Sequence, residues 1–205
     1  VRVEDKTTVK VHNMHTEQNE KAIRYVASNM IKEDPKIAIT FDDGPSPAWT
    51  PQLLDGLKER NVKATFFLIG ENAENTPELV KRESEEGHLV GNHTYHHVEI
   101  TRVPDETAKE EILMTNEVIT GITGEEVSYM RPPFGAWQKK LEWELDVMPV
   151  MWTIDPLDWT TNNEDEIVNK VVTQAKENDI ILLHDCYESS VNAALRIVDI
   201  LQKEG

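Results

Sequence analysis

Ile37-Ala38-Ile39-Thr40-Phe41-Asp42-Asp43-Gly44-Pro45 is a short apolar run that stops on two carboxylates and a Gly-Pro turn. Its length and β-branched residues predict a buried strand over 36–41 that ends where the carboxylates begin. Like charges on neighbouring side chains repel, so such a pair is tolerated where a cation or an arginine neutralises part of it. Further along, His93-Thr94-Tyr95-His96-His97 supplies the imidazoles that such a cation takes.

Outward from this strand the pattern repeats. Apolar runs at 64–70, 88–91, 127–131, 147–154 and 179–184 alternate with helical periodicity at 47–60, 77–86, 104–120, 138–145, 164–176 and 191–203. Several of the helical stretches open on proline or an acidic residue, as helix starts do. Strand candidates separated in this way by helices predict parallel strands with crossover connections. Ionisable residues gather at the carboxyl ends of the strand candidates. Asp42 and Asp43 close the first, His93 follows the third, Arg131 closes the fourth, Asp155 and Asp158 follow the fifth, and His184 closes the sixth. In α/β barrels that face carries the active site. Residues 1–34, polar and mixed with an amphipathic pattern over 17–31, read as an N-terminal extension before one domain at 35–205.

Lys and Arg total 21 against 38 Asp and Glu, a formal net charge of −17. A field of that sign repels phosphate backbones and anionic membrane surfaces, so nucleic acid is excluded as a partner. Cys186 stands alone, so no intrachain disulfide forms. No apolar window approaches the roughly 18–20 residues of a membrane span. The opening Val1-Arg2-Val3-Glu4-Asp5 has no signal-peptide character and no methionine, as in a processed chain.

His93 and His97 are four apart, so a helical turn or a tight loop aims both rings at one point, and one carboxylate completes a facial set. Such a set leaves coordination positions open, the mark of a catalytic metal. His96 is a competing ligand on spacing alone. With one aspartate on the ion, the other is free to accept a proton from a water whose pKa the ion lowers from about 15.7 toward about 7. Adjacent residues of an extended strand face opposite ways. The turn at Gly44-Pro45 is therefore expected to bring both carboxylates to the site, and this reading leaves their roles interchangeable.

Taken together, Thr40-Phe41-Asp42-Asp43-Gly44, His93-Thr94-Tyr95-His96-His97, Arg131-Pro132-Pro133-Phe134-Gly135, Asp155-Pro156-Leu157-Asp158-Trp159 and Leu182-Leu183-His184 resemble the five ordered motifs of the polysaccharide deacetylase family. This is the NodB-homology or carbohydrate esterase family 4 domain, and the resemblance runs over 36–204. It implies a distorted, incomplete (β/α) barrel of six to seven parallel strands with outer helices. It also implies that Asp42 is the general base, and that Asp43, His93 and His97 bind zinc, with cobalt or nickel as alternatives. Arg131 would pair with and orient Asp42, and Thr94 would support the histidine loop. The Phe134 backbone N–H would help hold the oxyanion. His184 would be the general acid, held and kept protonated by Asp158. Trp159 and Leu182 would wall a pocket for the acetyl methyl group. Phe134 stands where the family often has tyrosine, and Pro156 where serine or threonine is common.

The implied reaction is hydrolysis of N-acetyl groups on N-acetylglucosamine polymers such as peptidoglycan or chitin oligosaccharides, releasing acetate. The resemblance places it at the bacterial cell surface or outside the cell, with an acetylated glycan as the partner of a monomer. An acetylxylan esterase with the same residues and a carbohydrate-binding pseudoenzyme are the competing readings. Trp49 and Trp137 are the tryptophans expected to face sugar, because both lie in loops beside motif residues. Cys186 is expected to be a small packed residue.

Overall fold

The computed structural model describes residues 36–138, 141 and 145–204. The proposed extension at 1–34 and most of the helical stretch at 138–145 lie outside the described residues.

β1 (Ala38–Asp42) sorts its side chains by the period of two that a strand imposes. Ile39 and Phe41 enter the main apolar core, while Thr40 and Asp42 face the other way and meet Arg131. Neighbouring strands repeat the division. Phe66 and Leu68 of β2 (Thr65–Leu68), and Ile181 and Leu183 of β6 (Ile180–His184), join that core. Phe67 instead lies against the Arg131 guanidinium, 4.4 Å from ring centroid to Cζ.

Between β1 and β6 the chain forms, in order, α1 (Thr50–Glu59), β2, α2 (Gly70–Asn75), α3 (Pro77–Glu85), β3 (Leu89–Asn92), α4 (Asp105–Thr123), β4 (Tyr129–Met130), β5 (Met148–Pro149) and α5 (Glu164–Val172). α6 (Glu188–Glu204) follows β6. All strand pairs are parallel, in the order β5-β4-β3-β2-β1-β6. Leu53, Leu54 and Leu57 of α1, Ile167 and Val171 of α5, and Ala194 and Ile197 of α6 cover the outer face. Each of these buried Leu, Ile and Val side chains contributes about 1.5–3 kcal/mol.

The stretch expected as one strand over 147–154 touches both edges of the sheet. β5 pairs with β4 at one edge, and Ile154 bridges Ile181 of β6 at the other. Between them the carbonyls of Val150 and Met151 accept from Arg131 at 3.1 and 3.2 Å, so they are not available to a strand ladder. Pro149 has no N–H to extend one. The sheet is thereby curled into a half-barrel whose gap is crossed by a single irregular segment.

The expected strand over 64–70 stops at Leu68 and runs into α2, a helix the apolar periodicity does not show. Two N–H groups of its first turn, those of Gly70 and Glu71, donate to the carbonyls of Thr94 and Tyr95 at 2.9 and 3.0 Å. A Cβ at Gly70 would stand 2.5 Å from the Tyr95 ring and 2.7 Å from Thr115 Oγ1, so this close approach needs glycine. The histidine loop is docked on α2 by these contacts.

Glu83 of α3 is fully buried, and neither carboxylate oxygen has a hydrogen-bond partner among the described residues. Burial, with the charge of Asp185, pushes its carboxyl well above the ordinary value of 4.5. The folded state thus holds a proton that the unfolded chain releases, and stability falls as pH rises above 4.5 toward that raised value. Glu83→Met is expected to stabilise the fold by about 1–3 kcal/mol, with the larger gain at the higher pH. Urea unfolding of both proteins at pH 5 and pH 8 measures it; equal stability at both pH values would contradict the assignment.

Candidate metal and catalytic centre

Asp43 is the first residue past β1, and its φ of 72° turns it out of the strand direction. It is therefore Asp43 itself, ahead of the Gly44-Pro45 turn, that lets two consecutive carboxylates reach one site. Asn72 Nδ2 donates to the Asp43 carbonyl at 2.8 Å, and the Ile69 N–H donates to the Gly44 carbonyl at 3.1 Å, which fix this turn.

Asp43 Oδ1 lies 3.3 Å from His93 Nε2 and 3.3 Å from His97 Nε2. It is buried and accepts no hydrogen bond among the described residues. The three ligand atoms lie within 4.8 Å of one another. Bonds of about 2.0–2.1 Å to a tetrahedral ion place neighbouring ligand atoms about 3.3–3.4 Å apart, so the donor set has the size and chemistry of a divalent-metal site. Burial would raise the Asp43 carboxyl, but the imidazoles of His93, His184 and His97 outweigh it and hold it below its ordinary value. Burial, against the attraction of Asp43, holds the His97 ring below its own. Both shifts favour the ligand forms, a carboxylate and a neutral imidazole.

His93 is oriented from behind. Its Nδ1 lies 2.6 Å from the carbonyl oxygen of Arg131, and because a carbonyl only accepts, Nδ1 carries the proton and donates. A neutral His93 therefore turns its Nε2 lone pair toward Asp43. The Arg131 side chain, fully buried, donates from one terminal nitrogen to Asp42 Oδ1 and to Thr40 Oγ1, each at 2.7 Å. Asp42 is thus held by one oxygen. The other, Oδ2, lies 3.8 Å from His93 Nε2.

On the opposite side, His184 Nδ1 donates to Asp158 Oδ1 at 2.8 Å, and the His184 backbone N–H donates to Asp158 Oδ2 at 2.9 Å. Its Nε2 lies 4.0 Å from Asp43 Oδ2. Burial would lower this imidazole, but the hydrogen bond and charge of Asp158, joined by Asp43 and Asp42, raise it to about 9. Asp158 is itself fully enclosed in the short turn Asp158–Thr160.

The other residues singled out in the sequence divide. Thr94 is buried at a φ of 62°, and its hydroxyl accepts the Val98 N–H at 3.1 Å, bracing the histidine loop. His96 points elsewhere: its ring donates to Glu111 Oε1 at 2.7 Å and stays 53% exposed, so the structure separates it from His93 and His97. Phe134 has a φ of 60° and packs its ring on His97, with centroids 4.9 Å apart. Leu182 is buried on β6, whereas Trp159 is open to solvent. Trp49 packs half-buried on the main core and Trp137 likewise on a second cluster with Ile112 and Met130, and among the described residues the large exposed aromatic rings are Phe134, Trp159 and Tyr187. Asp155 Oδ1 accepts the Leu157 N–H at 2.8 Å in a local turn. Burial raises the Cys186 thiol to about 12, which leaves it unreactive.

Several supporting residues are not evident from the motifs. Glu111 of α4 accepts the N–H groups of Tyr95 and His96 at 3.0 and 2.8 Å. Asn92 accepts the Thr94 N–H at 2.7 Å. Asn72 holds the carboxylate turn through the Asp43 carbonyl. Glu111 lies on a helix that reads only as amphipathic; the one available signal was an acidic residue on its buried face.

The raised His184 ring gives a direct test in the metal-free protein. It stays protonated at neutral pH and loses its proton as pH climbs through about 9. Asp158→Asn removes the largest raising influence, and the ring is expected to titrate about 1–3 units lower. An NMR titration of the His184 imidazole measures this; an unchanged midpoint would show that Asp158 does not hold it.

Comparison with known proteins agrees with this fold. The family model described as polysaccharide deacetylase matches residues 29–150. A peptidoglycan-N-acetylglucosamine deacetylase of Bacillus cereus is 40% identical over 177 residues, covering 83% of this chain and 64% of that protein. A chitooligosaccharide deacetylase of Rhizobium leguminosarum is 40% identical over 156 residues, covering 75% of this chain and 73% of that one. The solved structure of the peptidoglycan deacetylase PdaC from Bacillus subtilis superposes with a TM-score of 0.82 at 38% identity, over 84% of this chain and 86% of that one. The chain thus spans somewhat under two thirds of the Bacillus cereus relative, 64%. With its half-barrel, its ordered motifs and these matches, the chain belongs to the polysaccharide deacetylase family.

Proposed function

We propose that this chain is a metal-dependent deacetylase that hydrolyses N-acetyl groups of N-acetylglucosamine-containing glycans, peptidoglycan or chitin oligosaccharides, and releases acetate. The observation that carries this reading is a base and an acid flanking one ligand set. Asp42 Oδ2 stands 3.8 Å from His93 Nε2, and His184 Nε2 stands 4.0 Å from Asp43 Oδ2. The names of the relatives support the substrate class.

Asp43, His93 and His97 would hold the ion, with zinc the first choice for two imidazoles and a carboxylate and cobalt or nickel as alternatives. When bound, it supplies a Lewis acid that polarises the acetamide carbonyl and acidifies water beside it. Asp42, with Oδ1 bound by Arg131, takes the water proton on Oδ2. His184, charged at neutral pH, gives its proton to the departing amine, which would otherwise have to leave as an anion. The Phe134 N–H would share the negative charge that grows on the carbonyl oxygen. Leu182 and Trp159 would enclose the methyl group, and Thr94 keeps the ligand loop in place.

Phe134, Trp159 and Tyr187 leave aromatic faces open around the centre, suited to the apolar faces of sugar rings. Such a substrate places the reaction at the cell wall, on or outside the cell surface. Among the described residues no helix is long and apolar enough to cross a membrane.

Acetate release from peptidoglycan, chitin oligosaccharides and acetylxylan tests the reading. Acetate is expected from the first two, lost on chelation and regained with zinc. Asp42→Asn is expected to lower the rate about 10²–10⁴-fold while the ion stays bound. Release from acetylxylan alone would make the chain an esterase. Glycan binding that survives chelation with no acetate formed would make it a binding protein.

A further inference from the structure

Asp185 has no part in the chemistry above, yet it is fully buried directly after His184. One carboxylate oxygen, Oδ2, accepts the Thr50 hydroxyl, and that hydroxyl accepts the Ser46 N–H at 2.7 Å. The other, Oδ1, has no hydrogen-bond partner among the described residues. The same carboxylate fills the space beside Gly44, where an added Cβ would stand 2.4 and 2.5 Å from its two oxygens. Because β1 and β6 pair Asp42 with His184, Asp43 and Asp185 are each the next residue beyond that pair.

A buried carboxylate with one oxygen unbonded lowers folding stability compared with an apolar side chain of similar size. Its position suggests what offsets that cost. The turn at 43–46 carries Asp43 and is tied on one side by Asn72 and Ile69, through the carbonyls of Asp43 and Gly44. On the side of β6 its tie is Ser46 to Thr50 to Asp185, with Gly44 resting on the carboxylate. We propose that Asp185 is a positioning residue, which clamps this turn through Thr50 and by contact with Gly44, and so sets Asp43 at the ligand distance from His93 and His97. The inference rests on the proposal that Asp43, His93 and His97 hold an ion.

Zinc affinity, measured by chelator competition, and the metal-free Tm are compared for the parent, Asp185→Ala, Asp185→Asn and Thr50→Val. Asp185→Ala and Thr50→Val are expected to bind zinc about 10–100-fold more weakly, the scale for groups that orient a ligand from behind. The metal-free Tm of Asp185→Ala separates a local effect from a loss of fold, since alanine removes a half-bonded carboxylate but leaves the buried Thr50 hydroxyl without its acceptor. Asp185→Asn keeps an oxygen for the Thr50 hydroxyl and is expected to recover most of the affinity. Thr50→Val, close in shape to threonine, carries the test should Asp185→Ala not fold. Parental zinc affinity in Asp185→Ala and Thr50→Val would overturn the proposal. So would an affinity loss that only follows a lower metal-free Tm, or an Asn variant no better than Ala. A parent that binds no zinc would instead overturn the functional reading, and this inference with it.

Discussion

The guanidinium of Arg131, sealed inside the curled sheet, is the interaction on which the rest of the centre depends. It binds Asp42 and Thr40 of β1 and the Val150 and Met151 carbonyls of the segment that crosses the barrel gap. Its own carbonyl accepts from His93. One residue therefore orients Asp42, the proposed base, sets the tautomer of His93 in the proposed ligand set and fastens the irregular closure. Taking either partner out of the Arg131–Asp42 pair would leave the other charge buried, at about 3–5 kcal/mol.

The division of the sheet into two faces explains how such a polar interior is tolerated. Apolar residues at alternate positions are spent on the outer face, under α1, α5 and α6, and supply the hydrophobic stabilisation. The inner positions carry Thr40, Asp42, Phe67 and Leu182, with Arg131 laid on the Phe67 ring. Polar groups on this face are bonded to one another, so the half-barrel can hold charge without a matching loss of stability. The strand ends then need only short turns to aim side chains at a common point. The positive φ values of Asp43, Thr94 and His97 are where that aiming is done.

Of the residues that the structure gathers, Asp42, Asp43, His93, Arg131, Asp158 and His184 were legible as ionisable side chains at or shortly after the end of an apolar run, and His97 by its spacing of four from His93. The parallel α/β order was legible for the same reason, as strand and helix periods alternate. Four features were not. The turn at Asp43 depends on backbone conformation that no residue type announces, since aspartate only tolerates it. The stretch over 147–154 is apolar but for Thr153, yet the carbonyls of Val150 and Met151 are claimed by Arg131, an override by a distant side chain. His96 is indistinguishable from its neighbours by spacing, and only Glu111, on a helix distant in sequence, draws it away. Trp49 and Trp137 are half-buried against the two core clusters, since loop position says little about which face a ring covers.

The most direct measurement is anomalous diffraction at the zinc edge from crystals grown with one equivalent of zinc. A single peak about 2.0–2.2 Å from an Asp43 oxygen, His93 Nε2 and His97 Nε2, with Arg131 still bonded to Asp42, is the expected result. A peak elsewhere, or no peak at that stoichiometry, would contradict the assignment of these side chains as the ligands.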